Sequence, residues 1–203
     1  MSVGQALRAA RERAGLRQID VGKKIFASDK TVSAYESGRR RIPKHLAPVI
    51  TQKLDDPRLY LAAAAEATGG VLVGPWLDGD RVDLHRESVR EKCIEEVTEA
   101  LELLIKARWM INARSAADLT PEESAQVDEF LHQVAEAITA LQIEFGVTCQ
   151  TYSRSPAAIY QAHRQELATK GYLKLVKGGM KRSGHHHQGR AGSTGPALAA
   201  GGT

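Results

Sequence analysis

Residues 18–43 read QIDVGKKIFASDKTVSAYESGRRRIP. Gln18 to Ile25 predicts a short helix that turns Val21, Gly22 and Ile25 to one side. Ser28 is a candidate N-cap for a second helix, which runs to about Ser37 and is stopped by Gly38. On that second helix Val32 points inward, while the outer face carries small or polar side chains. Four basic residues, Arg39, Arg40, Arg41 and Lys44, follow within a few positions.

Two short helices crossing steeply over a tight turn form the pattern of a helix-turn-helix, whose second helix lies in the DNA major groove. Upstream, Val3, Leu7, Ala10 and Ala14 stand at helical spacing and Gly15 closes that helix. Downstream, Pro43 marks a loop. Leu46, Val49, Ile50 and Leu54 then form a fourth amphipathic helix, and Asp56-Pro57 opens a fifth over 57–67.

Over residues 4–66 the chain resembles the phage-repressor-like, Xre/Cro-type helix-turn-helix family. The residues that carry the resemblance are Gln18, Val21, Gly22, Ile25, Ala27, Ser28, Val32, Glu36, Ser37, Gly38 and Arg39–Arg41. It implies a five-helix DNA-binding domain. It implies that Ser28 caps the recognition helix and that Asp29, Lys30, Thr31, Ser33 and Ala34 stand where base edges are read. Lys30 suits guanine O6 and N7, Asp29 suits cytosine N4, and Thr31 or Ala34 suits a thymine methyl. Gln18 resembles the family's phosphate- or base-bridging glutamine, and Arg39, Arg40, Arg41 and Lys44 are expected along a phosphate strand. Glu36 is expected to pair with Arg11, and Gly22 to be a close-packing residue. Phe26 departs from the family, which has glycine in that turn. A left-handed Phe costs roughly 1–2 kcal/mol, so a slightly different turn is expected.

The charge distribution agrees with a polyanion-binding head. Residues 1–54 carry 12 Lys/Arg against 4 Asp/Glu, whereas residues 77–145 carry 7 against 16. The first segment is thus +8 and the second −9, so only the head is suited to DNA. Aromatic content is 5% and alternating β-branched runs are scarce, which favours helices over sheets. Cys93 and Cys149 form no CxxC pair, so no structural zinc site or disulfide framework is expected. No metal and no cofactor is expected. No run approaches the roughly 18 apolar residues of a membrane span, and the expected location is cytoplasmic, at the nucleoid.

The expected architecture is all-α. A helix-turn-helix domain spans 1–67, a linker with a small ordered element 68–85, a helical C-terminal domain 86–176, and a disordered tail 177–203 that contains His185–His187. Within 69–85 the Val71–Val73 run suits a short extended piece. A long helix over 86–114 shows an apolar face of Val89, Cys93, Val97, Leu101, Leu104 and Ile111, widened by Ile94, Ile105 and Trp109. Thr120-Pro121-Glu122-Glu123 starts a second long helix that Gly146 is expected to end. A third helix runs from Ser155-Pro156 to Gly171. The two long helices make an antiparallel hairpin, read as the means of forming a homodimer on DNA.

The acidic run Glu95–Glu102 carries a rival reading. Glu95, Glu96 and Glu99 resemble the metal-binding start of the all-α nucleotide pyrophosphohydrolases, since carboxylates three and four apart hold Mg²⁺ against phosphate. That family also needs an acidic pair on a later helix, and Asp128, Glu129 and Glu136 give no clean match. A third reading makes the C-terminal half a protein-interaction module of the antitoxin type. The reading adopted is a sequence-specific transcriptional regulator, a repressor rather than an enzyme.

Overall fold

The computed structural model describes residues 1–107 and 115–173. Trp109, Ile111, the far end of the helix expected to reach 114, and His185–His187 with the tail lie outside the described residues. Among the described residues the ordered elements are all helical. They are α1 (Val3–Arg13), α2 (Gln18–Ile25), α3 (Asp29–Glu36), α4 (Ala47–Leu54), α5 (Pro57–Thr68), α6 (Arg86–Lys106), α7 (Pro121–Thr151) and α8 (Pro156–Thr169), with one 3₁₀ turn at Ala116–Asp118 before α7.

Local chemistry sets most of these ends. The Ser2, Ser28, Asp56, Thr120 and Ser155 side chains each accept from a backbone N–H in the first turn of the helix they precede. Each such cap typically stabilises its helix by about 1 kcal/mol. Asp56 has a second role. Its carboxylate also accepts from Arg13 and so ties α5 to α1.

The first five helices surround one core. Leu7, Val21, Val32, Ile50 and Leu59, one from each helix, are fully buried. Each such side chain contributes roughly 1.5–3 kcal/mol of burial. A Cβ on Gly22 would stand 2.5 Å from the Ala27 carbonyl oxygen, so α2 meets the turn closely only because residue 22 has no side chain.

That turn differs from the expectation of an altered path. Phe26 adopts the left-handed conformation, φ 55° and ψ 41°, and its N–H donates to the Gly22 carbonyl. The turn keeps the glycine geometry with a Phe in it, and the ring stays 98% exposed. Nothing in the described residues covers the ring to offset the strain. Phe26→Gly is therefore expected to raise stability by up to about 1 kcal/mol, the relieved strain exceeding glycine's entropy cost. A urea midpoint that falls in this variant would show that the ring is held by contacts.

A second core lies where 69–85 meets α7. Trp76 is 4% exposed and packs with Val89, Ile143 and Val147, flanked by Leu61 and Leu84. A Cβ on Gly146 would lie 2.6 Å from the indole Cζ3 and 3.4 Å from Pro57 Cβ. Gly146 thus opens a notch in α7 for the ring, and the helix runs through it to Thr151 instead of ending there. Gly74 plays a matching part, since a Cβ there would sit 2.9 Å from Thr139 Cα. The Gly74 N–H donates to Gln142 Oε1 at 2.8 Å. Val71 and Leu72 form no extended piece: they lie in an exposed turn, with Leu72 at φ 58°.

α6 and α7 pack along their lengths, and α8 returns beside α5, where the Ala157 N–H donates to Asp55 Oδ1 at 3.3 Å. The apolar residues of α6 divide into two stripes. Val89 and Cys93 are buried toward α7, whereas Ile94, Leu101, Leu104 and Ile105 are exposed. The broad face expected for this helix therefore has an inner part that is packed and an outer part that is not. Cys93 and Cys149 are free and buried, and burial pushes both thiols up, with nearby carboxylates adding to it.

Candidate nucleic-acid interface

The orientation of α3 is fixed from its C-terminal end. Glu36 is buried and accepts from Arg11 Nε at 2.6 Å and from Arg11 Nη2 at 3.0 Å. Arg11 Nη1 donates to the Leu16 carbonyl at 3.0 Å, and Gln18 Nε2 donates to Glu36 Oε2 at 2.9 Å. One carboxylate thus joins α1, α2 and α3. A bidentate guanidinium pair is both strong and directional, and Arg11 is held charged by it. The expected Arg11–Glu36 pair is present. Gln18 adds a contact that the sequence did not indicate, because its amide is oriented by Glu36.

From this anchor α3 presents its N-terminal half outward. Ser28 Oγ accepts from the Thr31 N–H at 3.1 Å and lies 2.9 Å from Thr31 Oγ1, so both hydroxyls sit at the helix start. Asp29 and Lys30 are exposed, while Ser33 and Ala34 are half-buried one turn on. Gln18, Asp29, Lys30, Ser33, Ala34 and Arg39 line one open depression of about 500 Å³. The Arg39 Nε donates to Ser37 Oγ at 3.0 Å, and that hydroxyl donates to the Ser33 carbonyl at 2.8 Å. Arg39 is thereby turned toward the outer face of α3.

The other basic residues diverge. Arg40 lies over the Tyr35 ring, 5.8 Å from its centroid, and lines with Arg41 a second groove beside Gly4 and Glu66. Lys44 is exposed in the turn before α4 and lines neither depression. The depression carries ammonium and guanidinium donors, a carboxylate acceptor and small groups that admit close approach. That set matches the edges of base pairs in a major groove.

The family comparison agrees with this geometry: residues 2–55 match the family model described as a helix-turn-helix domain. Residues 2–55 are a helix-turn-helix domain. The match lies within the 4–66 stretch of phage-repressor-like resemblance, apart from its first two residues. Neither curated proteins nor solved structures gave a match to the chain. In the helix-turn-helix domain the sequence did not point to Tyr35, which steers Arg40, and marked Ser37 only as part of the family resemblance, not as the residue that steers Arg39. A stacking ring five residues before its arginine follows no helical period, and only the path of the loop brings the two together.

Outside the helix-turn-helix domain, the Glu95, Glu96 and Glu99 run is arranged around a cation of its own. Lys92 Nζ lies 3.0 Å from Glu95 Oε2 and 2.8 Å from Glu96 Oε1, and these bonds hold the ammonium well above the usual lysine range. Glu99 is exposed. Among the described residues no group of three or more His, Cys, Asp or Glu is arranged to hold a metal ion. No described helix is long and apolar enough to cross a membrane.

Proposed function

We propose that this protein is a sequence-specific transcriptional regulator that represses by occupying its operator. The α3 helix enters the major groove, with Asp29, Lys30, Thr31, Ser33 and Ala34 facing base edges. Ser28 caps that helix, Gln18 bridges to a phosphate or a base, and Arg39, Arg40, Arg41 and Lys44 lie along a phosphate strand. Residues 1–67 act as the DNA-binding unit, and 86–176 as the unit that pairs two copies, joined through 68–85. The observation that carries the reading is the shared depression of Gln18, Asp29, Lys30, Ser33, Ala34 and Arg39 on the helix-turn-helix domain.

Phosphate contacts position a protein on DNA, and base contacts specify the sequence. Two substitutions should therefore behave differently on sites selected from a random DNA pool. Lys30→Ala is expected to cost roughly 1–3 kcal/mol on the preferred site and to relax preference at one base position. Arg41→Ala is expected to weaken all sequences alike and to lower the salt slope by about one unit. An unchanged selected motif in Lys30→Ala would remove that residue from the reading face. Failure to enrich any sequence from the pool would overturn DNA reading as a whole.

A further inference from the structure

Phe26, in the turn between α2 and α3, combines two costs. Its backbone is left-handed, with φ 55° and ψ 41°, and its ring is 98% exposed. Strained backbone of this kind persists where something offsets it, and it clusters at functional sites. Leu72 shares both features, at φ 58° and 81% exposure. The two differ in their surroundings, since no Lys or Arg stands within eight positions of Leu72.

Phe26 is set among cations. Lys23 and Lys24 precede it in the last turn of α2, and Lys30 follows it on α3. All three are exposed. None has an ion-pair partner among the described residues. Asp20, the acid of the same helix, is engaged by Arg17 at 3.1 Å. An exposed ring among unpaired ammonium groups favours a polyanion over an apolar protein surface as its cover.

The turn also lies close to the reading face. Phe26 stands three positions before Asp29, and three residues of chain span at most about 11 Å. The major groove is about 12 Å wide, and the apolar group on its base edges is the thymine methyl. We propose that Phe26 is a further specificity residue: its ring packs on a thymine methyl at the edge of the site read by α3, with Lys23 and Lys24 toward the adjoining phosphates. The inference rests on the DNA reading above and extends it by giving the α2–α3 turn a base of its own. Covering the ring on DNA offsets the strain that the free protein carries.

A site selected by the full chain from a random DNA pool supplies the probe, and fluorescence anisotropy at fixed salt reads the affinity. Phe26→Gly and Phe26→Asn remove the ring, and both residues suit a left-handed backbone. Each variant is expected to bind the selected site about tenfold more weakly, with a urea midpoint equal to or above that of the unaltered chain. Replacing the thymines of that site one at a time by deoxyuridine removes single methyl groups. At one position this should cost the unaltered chain about fourfold and cost neither variant anything. A pool that yields no site overturns this proposal together with the DNA reading. Equal affinity of the variants and the unaltered chain overturns this proposal alone and leaves the ring to a protein contact. A methyl sensitivity that both variants keep at every position overturns it too. So does a loss of affinity matched by a lower urea midpoint in both variants, because the ring would then serve only to hold the turn.

Discussion

Trp76→Ala is expected to lower the stability of the full chain by roughly 3–5 kcal/mol, the usual cost of deleting a buried aromatic from a core. The indole does more than fill space. It seats against Gly146 in α7 and under the guanidinium of Arg58 in α5, whose Cζ lies 4.6 Å from the ring centroid. Arg58 is itself partly buried, and that burial, more than the neighbouring Arg13, lowers its pKa. Removing the ring therefore strips a cation–π partner from a desolvated cation as well as opening a cavity. The check is a urea titration followed by circular dichroism. A loss under about 1 kcal/mol would mean that the site collapses around the missing ring and that the contact between α5 and α7 does not depend on it. Gly146→Val probes the same joint from the other side, because its new Cβ must displace the indole.

This joint was the part of the fold least legible in the sequence. The cap residues Ser28, Asp56, Thr120 and Ser155 announce helix starts because their chemistry is local. Gly15, Gly38 and Gly171 announce stops for the same reason, and each has a positive φ. Gly146 carries the same letter with a different cause. It has no side chain because Trp76, seventy positions earlier in the chain, needs the room. No local pattern distinguishes a glycine that ends a helix from one that admits a distant ring. Val71 and Leu72 misled in a similar way, since their β-branched and apolar character describes a buried surface that an exposed turn does not provide.

The candidate interface was more readable, and the physical reason is its periodicity. Asp29, Lys30, Ser33 and Ala34 share a face because a helix repeats every 3.6 residues, and Val32, Tyr35 and Glu36 take the buried side. The Arg11–Glu36 pair was indicated by the family resemblance, not by spacing. The three arginines after Gly38 obey no period. Arg39 turns to the α3 face through Ser37, and Arg40 turns to Tyr35, so adjacent identical residues reach different surfaces.

On the proposed pairing of two copies, replacing both Leu101 and Ile105 by Lys is expected to leave the chain a monomer and to weaken operator binding by about 10²-fold or more, because two linked half-sites gain from effective concentration. The motive is the outer stripe of α6. Ile94, Leu101 and Ile105 recur at steps of seven and four residues, which places them along one side of the helix. They are 60%, 52% and 60% exposed, away from the side that buries Val89 and Cys93 against α7. An apolar stripe at this spacing is the kind of surface by which helices associate. A single helix-turn-helix unit covers one half-site, and two copies related by symmetry read an inverted repeat one DNA turn apart. The exposure of Leu101 and Ile105 makes the experiment clean: lysines there remove an association surface without entering the packed interior. Helical content and urea midpoint should therefore stay near those of the unaltered chain while sedimentation reports the loss of the dimer. If the unaltered chain sediments as a monomer on its operator, or if the double variant binds DNA as tightly as before, the stripe is not what pairs two copies. Leu101 and Ile105 would then belong to a contact with a different protein, and the binding of one half-site would have to suffice for repression.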